Sequence, residues 1–129
     1  MSFQTFDERI ALGAASQLLP ADTTVAKSFW TADAQVRRLD AIILSSTDTV
    51  DRAVQFAINL GSTDQALFEV NVPAGAGHGI VPPVEVFQTL NLTNLAGMVF
   101  PVSGTLRWNA VVTITAAKLV QAVALGGIM

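Results

Sequence analysis

The stretch TLRWNAVVTIT, residues 105–115, decides the fold class because apolar and polar side chains alternate along it. One face carries Leu106, Trp108, Ala110, Val112 and Ile114. The opposite face carries threonines, an arginine and an asparagine. A period of two is typical of a β-strand that buries one side and exposes the other. The pattern therefore predicts a strand whose tryptophan lies in the core.

The same period occurs in two segments upstream, RAVQFAINL at residues 52–60 and DQALFEVNV at residues 64–72. Their predicted inward residues are Val54, Phe56, Ile58, Leu60, Ala66, Phe68, Val70 and Val72. Between them lies GSTD, residues 61–64, whose composition favours a tight turn. We therefore expect these two strands to form an antiparallel hairpin.

Further strands are predicted at residues 24–30, 36–46 and 118–128. The second of these is apolar on both faces at residues 42–44, which indicates a strand covered on both sides. Residues 84–90 follow two prolines and are predicted as one or two helical turns, although their valines also suit a strand. The absence of βαβ alternation excludes a Rossmann-type fold. We expect an all-β antiparallel sandwich or jelly roll of about eight strands, with at most one short helix.

The length of 129 residues suits one such domain. Residues 21–129 are predicted to form the sandwich. Residues 1–20 are predicted to be an N-terminal arm or a first strand. The apolar run at residues 10–19 fits either a strand or an arm that reaches a neighbouring molecule.

The composition predicts association with other protein surfaces. Apolar residues make up 51% of the chain and charged residues only 13%, about half the ~25% of an ordinary soluble domain. So few charges are insufficient to cover the surface of a solitary small globule. Part of that surface is expected to be buried against copies of the chain or other proteins.

The charges also exclude several classes of partner. The net charge is −3 and the seven basic residues are scattered, whereas nucleic-acid binding needs a clustered basic surface. No apolar segment approaches the ~20 residues that span a bilayer. The N-terminal sequence lacks the basic start and continuous apolar core of a signal peptide. We therefore expect a soluble protein that is not exported through the usual signal.

The segment VPAGAGHGIVPP, residues 72–83, contains three glycines, three prolines and the single histidine of the chain. A phosphate-binding loop would need a lysine and a Ser or Thr after its last glycine, but Gly79 is followed by Ile80 and Val81 and then by two prolines. His78 alone does not complete a zinc shell. The segment is predicted to be a shaped connection in which His78 contacts a neighbouring subunit.

Three aspartates form the remaining candidate metal site. Asp48, Asp51 and Asp64 have oxygens suited to calcium, but their spacing matches no EF-hand and turn capping explains them equally well. The chain has no cysteine, so thiolate sites are excluded. We expect neither a metal nor a cofactor.

The chain offers little for catalysis. A Ser-His-Asp arrangement would have to recruit His78, and no serine lies in a G-x-S-x-G motif. The chain is therefore expected not to be an enzyme. Three classes remain open: a structural assembly protein, which the composition favours, a carbohydrate-binding β-sandwich, and a small enzyme.

The order of the segments resembles that of small virion structural proteins of tailed bacteriophages, especially head decoration or cement proteins with jelly-roll folds. The similarity covers about residues 24–129. It is carried by SSTDTVDR at residues 45–52, by VPAGAG at residues 72–77 running into the two prolines, and by TAAKLVQAVALGG at residues 115–127.

The resemblance implies a homotrimer or dimer, made in the bacterial host cytoplasm, that binds the major capsid protein on the outside of the capsid. There it would cement neighbouring capsomers. A tail or baseplate component is the alternative position in the virion. We expect the N-terminal arm and the loop at residues 72–83 to make the contacts. The expected contact residues are Phe3, Phe6, Ile10, Leu12, Gly75, Gly77, His78, Ile80 and Val81.

Overall fold

The computed structural model describes residues 12–31, 37–61, 63–92, 97–100 and 104–128. Within them the chain forms nine β-strands, one short 3-10 turn at Pro20–Asp22 and one α-helix. The strands are β1 (Leu12–Leu18), β2 (Lys27–Thr31), β3 (Arg37–Ser46), β4 (Arg52–Asn59), β5 (Asp64–Val72), β6 (Val84–Glu85), β7 (Met98–Phe100), β8 (Thr105–Ala110) and β9 (Val120–Ile128), and the helix α1 is Val86–Thr89. The predicted all-β class with one short helix is confirmed.

The strands form two antiparallel sheets. The first sheet has the order β1-β9-β3-β6, with β7 also paired to β3, and the second has the order β2-β8-β4-β5. Apart from the hairpin of β4 and β5, and from β6 and β7, which both pair with β3, successive strands alternate between the sheets. This winding is consistent with a jelly roll.

The predicted hairpin is confirmed, and β4 pairs with β5 from Arg52 opposite Val72 to Asn59 opposite Asp64. The inward pattern of these strands holds at their centres and fails at their ends. Leu60 and Val112 are 61% and 60% exposed instead of buried, and Ala66 is exposed as well. β5 is an edge strand, and β8 already ends at Ala110. Leu60 and Val112 therefore lie beyond the paired residues of their strands, where no core faces them. Ala66 is paired with Ala57, but a register shift between β4 and β5 turns it to the outer face that carries Arg107.

The core lies between the sheets and centres on Trp108, which is fully buried. Its ring packs against Phe29 and Phe56 with centroids 5.5 and 5.7 Å apart. The indole N–H donates to the Ser16 hydroxyl of the first sheet at 2.9 Å. A β-bulge in β2 at Phe29 brings this residue and Trp30 into the core although they are adjacent in sequence.

Strand β3 is fully covered on one side only. Ile42 and Leu44 are completely buried, whereas Ile43 is half-buried on the outer face of the first sheet. The expectation that this strand is covered on both sides is therefore wrong within the single chain. A strand in the middle of an antiparallel sheet has solvent on its outer side unless another layer packs there.

The segment at residues 84–90 combines both conformations that its sequence suggested. Val84 and Glu85 pair with β3, and the chain then turns into α1. The Glu85 carboxylate caps this helix by accepting from the Gln88 N–H at 3.1 Å. The 3-10 turn and α1 are three and four residues long, so neither helix of the described ranges has the length to cross a membrane.

The N-terminal part of the described chain belongs to the sandwich. Strand β1 pairs with β9 from Leu12 opposite Gly126 to Leu18 opposite Val120. Three of the predicted contact residues, Phe3, Phe6 and Ile10, lie outside the described residues. Leu12 is placed by its backbone at the start of β1.

Candidate functional site: the loop end of the sandwich

Four connections meet at one end of the sandwich. β1 and β3 end opposite the start of β9, and β5 ends opposite the start of β4. β8 ends beside Val54 of β4. The loops that leave these strands, residues 19–26, 47–51, 73–83 and 111–119, therefore lie at the same end, which we call the loop end.

The buried carboxylate of Asp48 ties the loop end together. Asp48 is 1% exposed and accepts from the Arg52 guanidinium at 2.8 Å. It also accepts from the N–H of Thr115 at 3.0 Å, from its hydroxyl at 2.8 Å and from the Val50 N–H at 3.2 Å. Arg52 in turn donates to the Thr115 hydroxyl at 2.7 Å. The side chain thus joins the loop at residues 47–51 to the loop at residues 111–119.

These contacts fix the charge state of Asp48. Burial by itself raises the pKa of the carboxyl group, but the hydrogen bonds from Thr115, Arg52 and Val50 outweigh that effect and hold the pKa well below its usual range. Asp48 is therefore ionised at neutral pH. Its oxygens are occupied by protein donors, which explains its burial without a metal ion.

The loop at residues 73–83 is anchored to the same framework. Gly75 N–H donates to the Asp48 carbonyl at 3.2 Å, and the Ala76 carbonyl accepts from the Ser46 N–H at 2.9 Å. Ala76 is completely buried. Gly75, Gly77 and Gly79 all have positive φ, a conformation that glycine adopts without strain. The prediction of a tightly turned connection is confirmed.

The backbone hydrogen bonds within and around this loop exclude a phosphate-binding role. The N–H groups of the loop donate to protein oxygens at Ala74, Gly75, Ala76, Gly77, His78 and Val81. An anion-binding loop needs such groups free and convergent. The loop at residues 73–83 therefore uses its donors to hold its own shape.

The predicted contact residues in this loop have different roles. Ile80 is 99% exposed and His78 is exposed beside it. Val81 is partly buried and packs against the core. Gly77 lies against β3, since a Cβ added to it would be 2.8 Å from the Cβ of Ser45. The tip residues Ile80 and His78 are thus available for contact, whereas Val81 and Gly77 shape the loop.

Apolar side chains are concentrated at the loop end. Six of the nine exposed large hydrophobic residues in the described ranges lie in its four loops. They are Leu19, Val25, Val50, Ile80, Val111 and Val112. Sequence reasoning singled out only Ile80 among them. It assigned Val112 to the core because the period of two was extended beyond the end of β8.

The three aspartates of the proposed calcium site do not come together. Asp51 lies at one end of β4, and its carboxylate accepts from the Ala74 N–H at 2.9 Å. Asp64 lies beyond the other end of β4, about 25 Å away at the usual rise per residue, and bonds Asn59 and Arg107. No group of three or more His, Cys, Asp and Glu suited to a metal ion occurs within the described ranges.

The described surface is also poor in aromatic rings. Trp30 and Trp108 are buried, and the phenylalanines of the described ranges are buried or partly buried. Carbohydrate-binding surfaces usually present exposed aromatic rings on which sugars stack. Within the described ranges, the aromatic residues serve the core instead.

A scan against protein-family models and a search of the curated proteins both returned no match.

Proposed function

We propose that the chain is a non-enzymatic structural protein of a tailed-bacteriophage virion, which decorates and cements the capsid. In this proposal the loop end contacts the major capsid protein and copies of the chain associate with one another. The protein would be made in the bacterial cytoplasm and would act on the capsid surface.

The observation that carries the proposal is the combination of rigidity and apolarity at the loop end. The Asp48 hydrogen bonds and the buried Ala76 hold the loops in place, so little conformational entropy is lost when they bind. Exposed Ile80, Val25 and Val112 supply apolar area for burial. Each contact is small, but many copies on one symmetric lattice would make the attachment effectively permanent.

The proposal is tested by binding the purified chain to capsids that lack it. Ile80→Asp places a charge at the exposed tip of the loop, so we expect capsid binding to weaken by about tenfold or more. Because the Ile80 side chain is 99% exposed, the free energy of unfolding should change by less than about 0.5 kcal/mol. Co-sedimentation with capsids measures the first quantity and urea denaturation the second.

The matched control is Leu60→Asp at the hairpin of β4 and β5, which lies at the opposite end of the sandwich. Leu60 is 61% exposed, and its replacement should leave capsid binding unchanged. An equal loss of capsid binding in Ile80→Asp and Leu60→Asp would contradict attachment through the loop end. Binding to isolated tails or baseplates, but not to heads, would favour the alternative position in the virion.

A further inference from the structure

Within the part of the chain that the structure describes, the two sheets have four edges, and three of them carry features that discourage pairing with another chain. β5 has the charged residues Asp64 and Glu69 and a register shift opposite Phe56 and Ala57. β2 has Lys27 and a bulge. On the far side of β3, β6 and β7 are only two and three residues long. Charges, bulges and short strands are the usual protections of sheet edges.

The fourth edge, β1, has none of these protections within its own sequence, and among the described residues its charged neighbour on the free side is Lys27 of β2, which bonds the Gln17 carbonyl. Its seven residues, LGAASQL, include no charge and no proline. It pairs with β9 in unbroken register over its whole length. A strand that is this regular and uncharged is a template for pairing with a further strand.

One contact indicates which backbone groups of β1 lie on its free side. The Gln17 carbonyl accepts from the Lys27 ammonium at 2.8 Å, which places it outside the ladder with β9. Backbone groups two residues apart point to the same side of a strand. The N–H and carbonyl of Ala15 therefore also point away from β9. An open groove of about 440 Å³ lies here, lined by Ala15, Ser16, Gln17, Leu19, Lys27 and Gln121.

The outer face of the first sheet adds apolar surface beside this edge. Ala15, Val123 and Ile43 are aligned across β1, β9 and β3, and Leu125 is aligned with Ala41 in the next row. Ala15 is exposed and the other four are half-buried. The outer face of the second sheet is polar by contrast, because Arg107 there bonds Asp64, Ser28 and the Ala26 carbonyl.

From these observations we infer that β1 is a self-association edge, which pairs antiparallel with β1 of a second copy of this chain. A twofold axis generates antiparallel pairing of identical strands. The uncharged sequence brings no like charges together across such an axis, and the two apolar outer faces become one continuous surface. This inference rests on the self-association in the proposed function, but it does not depend on the capsid contact at the loop end.

Sedimentation equilibrium of the purified chain tests the inference. The wild-type chain should form a dimer, twice the monomer mass of 13.6 kDa, at about 10 to 100 μM. Ala15→Lys puts two like charges beside the twofold axis and should weaken the dimer by about tenfold or more. Ala15→Pro removes the outward N–H without removing a bond to β9 and should act in the same direction. Gln17→Lys provides an independent variant if either substitution at Ala15 prevents folding.

Ala66→Lys is the matched control, since it places the same charge on the protected edge β5, and it should leave the dimer intact. A wild-type chain that stays monomeric, or an equal effect of Ala66→Lys and Ala15→Lys, would overturn the inference. Dimerisation only after deletion of residues 1–11 would also overturn it, because the edge would then be occupied by the chain's own N-terminal residues. If the purified chain forms no dimer but still binds capsids, the inference about β1 is wrong and the proposed contact through the loop end is unaffected.

Discussion

The loop end and the β1 edge are both available for contact, but they are built in opposite ways. The loop end owes its shape to individual residues. The Asp48 carboxylate joins two loops, and Gly77 lies so close to Ser45 that a Cβ at this position would clash. The β1 edge owes its shape to the backbone ladder with β9 and to small uncharged side chains. Substitution of Asp48 or Gly77 should therefore destabilise the folded chain, whereas substitutions at the β1 edge should alter association and leave stability nearly unchanged.

The largest expected effect is that of Asp48→Ala. It leaves the Arg52 guanidinium without its carboxylate and the N–H groups of Thr115 and Val50 without an acceptor. The free energy of unfolding should fall by about 3 to 5 kcal/mol, as when one partner of a buried ion pair is removed. Urea denaturation of the variant and of the wild-type chain measures this loss of unfolding free energy. In the control Asp51→Ala, where one exposed hydrogen bond to Ala74 is lost, the loss should be about 1 kcal/mol.

Gly77→Ala should have the next largest effect. Its φ of 82° is strained for alanine, and the new methyl group would lie 2.8 Å from the Cβ of Ser45. We expect a loss of about 2 to 4 kcal/mol in unfolding free energy. Gly79→Ala is the control, because its φ of 60° is also in the left-handed region but no atom lies within 4 Å of the added Cβ. Thermal unfolding of the pair separates the clash from the strain, and equal losses would contradict tight packing at Gly77.

Acid should also destabilise the loop end. The pKa of Asp48 is lower in the folded chain than its ordinary value of 3.8, so protonation favours the unfolded state. Its contribution to stability is fully present above about pH 5 and is lost as the pH falls through 3.8 towards the folded-state pKa. Between pH 7 and pH 3 this group alone should account for about 1 kcal/mol. The urea midpoint of Asp48→Ala should depend less on pH in this interval than that of the wild-type chain.

The smallest effect on stability is expected at the β1 edge. Ala15→Lys replaces an exposed side chain and should change the unfolding free energy by less than about 0.5 kcal/mol, although it should weaken the proposed dimer. If Ala15→Lys lowered the unfolding free energy as much as Asp48→Ala does, the proposed difference between the β1 edge and the loop end would be wrong.

Much of the fold is predictable from local patterns. The period of two in residues 105–110 and 52–59 reports burial on one side, and it correctly placed Trp108, Phe56 and Val54 in the core. Two errors arose where the alternation continues beyond the paired residues, and a third, at Ala66, arose where a register shift between β4 and β5 reverses the alternation. Val112 and Leu60 continue the alternation, but the strands end before them, and only the pairing of distant segments determines where a strand stops.

The candidate site was less predictable for the same reason. Glycine and proline spacing indicated a turned loop at residues 72–83. The contact residues predicted there included the exposed His78 and Ile80, but also Val81, which packs against the core. The role of Asp48 depends on Thr115, which is 67 residues away in sequence, so no local motif reveals it. The partly exposed outer side of Ile43 was not predictable either, because the apolar character of a strand residue does not determine whether the same chain covers it.

Cryo-electron microscopy of virions that contain the chain tests the account most directly. We predict the sandwich on the outside of the head, with the loop end against the capsomers and β1 beside β1 of a second copy. Density for the chain in the tail or baseplate would contradict the proposed position. Attachment to the head through the polar outer face of the second sheet would contradict the assigned surfaces.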